Sequence, residues 1–294
     1  MAYNAGGLIL ANDYNSRKDT VNNIWSTGSS SFGWGQTALS SVTVSSKITA
    51  GTIGSSVEWA KMIDTVNNMN LHAFNASAGL TVPQKSDIIT FLSNFDTTVS
   101  NISTDRYGTY YAFDDQSVVS GSHTATWGGG GSSITNTATV TWATADAARY
   151  FFNAGGRVNL SLAYSGGSGS PQDSNWATVV GAAGTMWVQA ASSGGTATNT
   201  GRGYWQSGGV LYSGAGTGLY SSNTLVVSVS GNGGTSLTFT TVFTDNHTNI
   251  WYPAFPSSDR VTGTFTVSVL VRKPTMNGLN TNTWGLASVS VPNF

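Results

Sequence analysis

A chain of 294 residues can bury a sizeable core and divide into two domains, yet only 9% of it is charged, against about 25% in an ordinary soluble domain. A formal net charge of −1 with scattered basic residues leaves no electrostatic footprint for nucleic acid or an anionic membrane. The absence of cysteine excludes disulfides, thiolate metal sites and cysteine nucleophiles, and no apolar run approaches the ~18–20 residues that span a bilayer. Residues 1–10 lack the basic start of a signal peptide, so synthesis in a cytoplasm is expected. Glu58 is the sole glutamate; Ser, Thr, Gly, Asn, Val and aromatics replace the good helix formers. Most of the chain is therefore expected to be β-structure with polar, uncharged faces, and its 10 Trp, 11 Tyr and 12 Phe argue for a packed core over disorder.

The elements begin as helices. Over residues 13–25, Tyr14, Val21, Ile24 and Trp25 fall near one helical face, with Arg17, Lys18 and Asp19 opposite. A Gly/Ser stretch at 28–35 ends this element. Ser55 and Glu58 have capping-box spacing, and Trp59, Met62, Ile63, Val66 and Met69 follow as an apolar stripe. A third helix is expected after Pro83, from Ser86 or Asp87, with Ile88, Phe91, Leu92, Phe95, Val99 and Ile102 at spacings of three and four.

After Arg106 the period changes to two. Ile134, Ala138, Val140 and Trp142 alternate with Thr135, Thr137, Thr139 and Thr141, a strand with one apolar and one threonine face. Next comes Arg149-Tyr150-Phe151-Phe152-Asn153-Ala154-Gly155-Gly156-Arg157. Read as a strand, its three consecutive aromatics leave neither face polar, which suits a position inside a packed β-structure. Gly155 and Gly156 would then turn the chain into a strand over 158–164. A short element at 175–183 is ambiguous and could be helical with Trp176, Val179 and Val180 inward. Further strands are expected at 185–190, 203–212, 224–230, 237–243 and 261–272, separated by glycine-rich stretches. The fold class so read is α+β: a small N-terminal helical region (1–108), an antiparallel β-sandwich of jelly-roll type (109–276), and a C-terminal extension (277–294).

Catalytic chemistry is sparse. His72, His123 and His247 lie far apart in no metal spacing. Asp114 and Asp115 point in opposite directions if extended, and read as a solvated turn. Asp245, Asn246, His247 and Asp259 could supply calcium ligands, but hairpin-turn chemistry explains them equally well and is preferred. Residues 33–38 match G-x-G-x-x-A without the strand–helix context of a dinucleotide site, and 166–170 miss the nucleophile elbow at its last position. No enzyme activity, metal or cofactor is expected. Tyr204, Trp205, Trp251 and Tyr252 lie near glycine-rich loops, where they could anchor a core or stack on sugar rings.

The string from Ala148 to Arg157 resembles a segment of tailed-bacteriophage virion structural proteins, of the tail-fibre-like or neck and collar type. Residues 158–164 and 173–176 are similar to the strand and N/D-x-W segment that follow it in those relatives. Residues 218–223 resemble their G-x-Y-S-x-N turn, and 261–266 their V-x-G-T strand. Asp13-Tyr14-Asn15, Gly33-Trp34-Gly35-Gln36 and Trp59 fall where such proteins carry D-x-Y-N, G-Y-G-Q and a tryptophan-bearing helix. The resemblance implies a non-enzymatic virion component, made in the host cytoplasm, whose partners are copies of itself and other virion proteins. Trp25, Trp59, Met62, Ile63 and Val66 are the expected assembly interface, because that stripe is more apolar than a lone three-helix domain needs. Tyr150, Phe151, Phe152, Gly155 and Gly156 are the expected motif and sandwich core. The alternative is a carbohydrate-binding adhesin module that contacts host surface glycan through the four loop aromatics.

Overall fold

The computed structural model describes residues 11–27, 32–40, 56–82, 88–106, 112–190, 201–204, 208–231, 233–248 and 259–294. The helices are α1 (Ala11–Trp25), α2 (Ser56–Phe74), α3 (Ile88–Asp105), α4 (Ala145–Asn153) and α5 (Pro171–Ala183). The strands are β1 (Phe113–Asp115), β2 (Val119–His123), β3 (Ser132–Thr141), β4 (Arg157–Gly166), β5 (Thr185–Gln189), β6 (Gly201–Gly203), β7 (Gly209–Ala215), β8 (Thr224–Ser230), β9 (Ser236–Asp245), β10 (Gly263–Pro274) and β11 (Ser288–Ser290). The fold is α+β, with helices gathered toward the N-terminus and two mostly antiparallel sheets arranged as a sandwich. None of the helices among the described residues is long and apolar enough to cross a membrane.

The chain forms two units, and their division differs from a simple cut near residue 108. A helical unit comprises Met1–Asp114, Arg149–Gly155 and Pro274–Trp284; a sandwich unit comprises Asp115–Ala148, Gly156–Lys273 and Gly285–Phe294. The expected C-terminal extension is thus split between them.

In the helical unit, the apolar faces of α1, α2 and α3 pack on one another. Tyr14, Val21, Ile24 and Trp25 from α1 are buried with Trp59, Met62, Ile63, Val66 and Met69 from α2 and Leu92, Phe95, Val99 and Ile102 from α3. Tyr14 meets Trp59 edge-on with ring centroids 5.2 Å apart. Arg17 clasps Asp96 through two nitrogens at 2.8 and 2.6 Å, linking α1 to α3. The expected assembly interface is corrected here. Trp25, Trp59, Met62, Ile63 and Val66 are each 5% exposed or less, so their apolar area already stabilises this unit by roughly 1.5–3 kcal/mol per side chain. The capping-box serine, Ser55, and the expected start of the third helix, 83–87, lie outside the described residues.

The larger correction concerns the aromatic string. Tyr150, Phe151 and Phe152 are helical, the last turns of α4, and they belong to the helical unit and not to the sandwich core. Thr144 Oγ1 accepts the Ala147 N–H at 3.0 Å, and Asp146 lies in the first turn, so the helix has a proper start. Ala148, Phe151 and Phe152 are buried at helical spacing. Gly155 ends the helix at φ +95°, a conformation that suits a residue without Cβ.

The sandwich unit has one sheet in the order β1-β10-β4-β5-β6, with β2 also on β10, and a second in the order β11-β3-β9-β8-β7. Every pair is antiparallel except β5 with β6 among the registers that the described residues define. Strict alternation buries Phe265, Val267, Val269 and Val271 of β10 and Leu237, Phe239 and Phe243 of β9, and the Phe243 and Phe265 rings meet across the sandwich at 4.6 Å. The ambiguous 175–183 element is α5, and its Trp176 ring lies 5.6 Å from Phe265 and 6.0 Å from Phe243, touching both sheets. The end of the chain closes one side of the sandwich. β11 pairs with β3, and Asn136 Nδ2 donates to the Pro292 carbonyl at 2.7 Å. Asn293 Oδ1 accepts the Ser122 N–H of β2 at 2.9 Å, a His123 ring nitrogen contacts the Phe294 carbonyl, and Phe294 stacks on Phe243 at 6.1 Å.

Candidate functional site

Two constellations of buried polar side chains stand out, one in each unit. The first is a hub in the helical unit. Residues 33–36 fold back over the end of α1: the N–H groups of Trp34, Gly35 and Gln36 donate to the carbonyls of Ile24, Ser26 and Trp25 at 2.8–2.9 Å. Those are carbonyls that a helix terminus leaves without partners. Trp34 is fully buried, and its indole N–H donates to the Asn153 carbonyl at 2.8 Å while Asn153 Nδ2 returns a bond to the Gly33 carbonyl at 2.9 Å. Gly35 has φ +72°, and a Cβ there would stand 2.6 Å from the Tyr150 ring. Arg149 lies over the same ring at 4.5 Å and donates to the Thr27 carbonyl at 3.0 Å. Gln36 fastens residues 280–281: its Oε1 accepts the Asn280 and Thr281 N–H groups at 3.0 Å each, and its Nε2 donates to the Thr281 carbonyl at 2.9 Å.

His72 completes the hub. Its two ring nitrogens lie 3.1 Å from the Asn277 carbonyl and 3.0 Å from that of Ala154, and its ring meets Trp34 edge-on at 4.7 Å. Burial pushes its pKa down to about 4, against the upward pull of the Ala154 and Asn277 carbonyls. A neutral ring has one N–H and donates to only one of them. Thus α2, the aromatic string and residues 274–284, far apart in the chain, meet at one side chain.

The second constellation is a set of carboxylate clasps in the sandwich unit. Asp173 in the first turn of α5 is 2% exposed and accepts five hydrogen bonds, from Tyr164 OH at 2.5 Å, Thr262 N at 2.9 Å, Thr262 Oγ1 at 2.8 Å, Ser168 N at 2.8 Å and Ser168 Oγ at 2.9 Å. Burial opposes its charge, but these donors outweigh that and hold its pKa below the usual value. Burial, reinforced by Asp173, raises the Tyr164 phenol, so Tyr164 stays a donor. Asp245 is fully buried and accepts from Gly129 N at 2.7 Å, Gln172 Nε2 at 2.5 Å and His247 N at 3.1 Å. Asp259 accepts from Tyr220 OH at 3.0 and 3.2 Å, and its carboxyl is raised by burial. Asn223 Oδ1 accepts the Asn246 and His247 N–H groups at 3.0 Å each, tying the 218–223 turn to the end of β9.

These geometries give each candidate residue its place. Asp245 and Asp259 direct their oxygens to protein donors that fasten turns, and among the described residues no three His, Asp or Glu side chains gather as a metal set. Asp115 pairs with Arg272 at 3.1 Å. Tyr204, open from the sequence to either a core or a sugar-stacking role, is a core residue and not a sugar contact: it is 2% exposed and its hydroxyl donates to the Gly234 carbonyl at 3.1 Å. Trp205, Trp251 and Tyr252 lie outside the described residues. Phe151, Phe152 and Tyr150 are buried, and Gly155 follows them, all in the helical unit; Gly156 falls in the sandwich unit. Sequence reasoning passes over His72, Gln36, Asn153 and Asp173 as site residues. The available signal is a polar side chain inside an otherwise apolar or glycine-rich string, as with Asn153 and Gln36.

Tyr14, Trp59, residues 33–36 and 149–155 all contribute to the helical unit, whereas 218–223 and 261–266 hold the clasps of the sandwich unit. Comparison with family models, curated proteins and solved structures found no match to this chain.

Proposed function

We propose that this chain is a non-enzymatic structural component of a tailed-phage particle, of neck, tail or fibre type, that acts by self-assembly and by docking to other virion proteins. It is made in the host cytoplasm and works in the virion, with no cofactor. The observation that carries this reading is how the buried carboxylates are used. Asp173, Asp245 and Asp259 accept bonds from backbone N–H groups and from Tyr, Ser, Thr and Gln side chains, some nearby in the chain and others 39 to 116 residues away, which makes them fasteners of loops. A catalytic acid or base would instead need an oxygen aimed at a substrate position. The resemblance of 148–157 to virion proteins and the scarcity of charge support the same reading. Light scattering of the purified chain over a wide concentration range tests it. Concentration-dependent assembly is expected, and a clean monomer at every concentration would overturn the proposal.

A further inference from the structure

The outer face of the β11-β3-β9-β8-β7 sheet is an unusual surface for a protein to show to water. Its outward positions on β3, β9, β8 and β11 are Ser, Thr or Val, and none is charged. Two rows show the pattern: Thr137–Thr240–Ser228 and Thr139–Thr238–Ser230 lie side by side across three strands. The first row continues to Val210 of the edge strand β7, which is 53% exposed. Thr137 and Ser230 are exposed and the others half-exposed. The outer face of the other sheet is ordinary by comparison, with Arg157, Arg272 and Asp115 among its residues. Charged side chains are mostly exposed, and a solvated sheet face usually includes some of them. One sheet of this unit carries such charges on its outer face, and the outward positions on β3, β9, β8 and β11 of the other carry none.

We infer that this uncharged face is the surface through which two copies of the chain associate, sheet on sheet. The inference rests on the self-assembly reading above and gives it a place. Three features select a second copy as the occupant. Each Ser or Thr hydroxyl both donates and accepts, so a hydroxyl array is complementary to itself, as a two-fold interface requires. With no charge on the face, burial strands no ion, whereas a charged partner would find no counter-charge there. The strands also cover a projected area of about 600 Å², which with side-chain relief approaches the ~800 Å² per partner of a standard interface. Small side chains let two twisted sheets approach to about 10 Å at the usual angle near 30°.

Sedimentation of the wild type, Thr240→Lys and Ser161→Lys tests the inference. Thr240 is central on the uncharged face; Ser161 lies on the outer face of the other sheet and serves as control. Thr240→Lys brings two like charges into the interface and is expected to weaken association at least ~100-fold, with an unchanged melting temperature at dilutions where both proteins are monomeric, while Ser161→Lys associates like wild type. Because the chain has no cysteine, Thr240→Cys should also oxidise to a covalent dimer where Ser161→Cys does not. Wild-type association that Thr240→Lys leaves intact overturns this face while the self-assembly reading stands. A wild type that stays monomeric overturns both.

Discussion

The two units secure distant segments by different chemistry. In the hub of the helical unit the fasteners are neutral: the Trp34 indole, Asn153 Nδ2, Gln36 Nε2 and the His72 ring against backbone carbonyls, and Gln36 Oε1 against the Asn280 and Thr281 N–H groups. In the sandwich unit they are carboxylates that gather N–H and O–H donors, Asp173 foremost. Neutral fasteners suit a unit whose inserted segments arrive as helix ends and loops, since such ends offer unpaired carbonyls in need of donors. Carboxylates suit loops between strands, where N–H groups are left without partners. The consequence is a different response of each unit to truncation and to acid.

Trp34→Ala should give the largest effect. It opens a cavity in the helical unit and orphans the Asn153 carbonyl, for a loss of about 4 kcal/mol. Hydrogen exchange should report that loss in α1 and α2 while the β9 and β10 amides keep their protection; equal loss in both would break the contrast between the units.

Acid should come next, and it should loosen the helical unit first. His72 has a folded pKa lowered from 6.5 to about 4, so between those values the unfolded chain binds the extra proton. Stability is full above pH 6.5, falls as pH drops toward 4, and loses roughly 3 kcal/mol over that window. Denaturant midpoints from pH 7 to 4 should show the slope, and a His72→Gln variant should flatten it. Asp173 works in a lower window: its folded pKa is depressed, so its contribution is present above the ordinary carboxylate pKa and is lost only as pH falls below that.

The smallest of the three effects is expected for Asp173→Asn, about 2 kcal/mol, because the amide keeps one acceptor but turns its NH2 toward the Ser168 and Thr262 donors. Exchange protection should fall at the 166–170 loop and the start of β10 and not in α1 to α3.

Much of this architecture is legible in the sequence. The 3.6 period of Trp59, Met62, Ile63 and Val66 and the 2.0 period of 134–142 each have one local solution, and the structure has it. The use made of those elements is less legible. The Trp59 stripe reads as surplus apolar area only while its partners on α1 and α3 are unknown. The hub is hidden because His72 bonds to residues 82 and 205 positions away in the chain, and no local pattern marks such a pairing.

The aromatic string marks the boundary between the two kinds of knowledge. By itself the sequence determined that Tyr150, Phe151 and Phe152 must be buried and that the chain must break at Gly155, because three large rings leave water at any cost in conformational freedom and only glycine sits easily at positive φ. Whether those rings lie on a helix or a strand, and in which unit, was decided by tertiary structure. A run of three aromatics satisfies both periods; the capped start at Thr144 and the donors and acceptors of Trp34, Gly33 and His72, which only folding brings near, favour the helix.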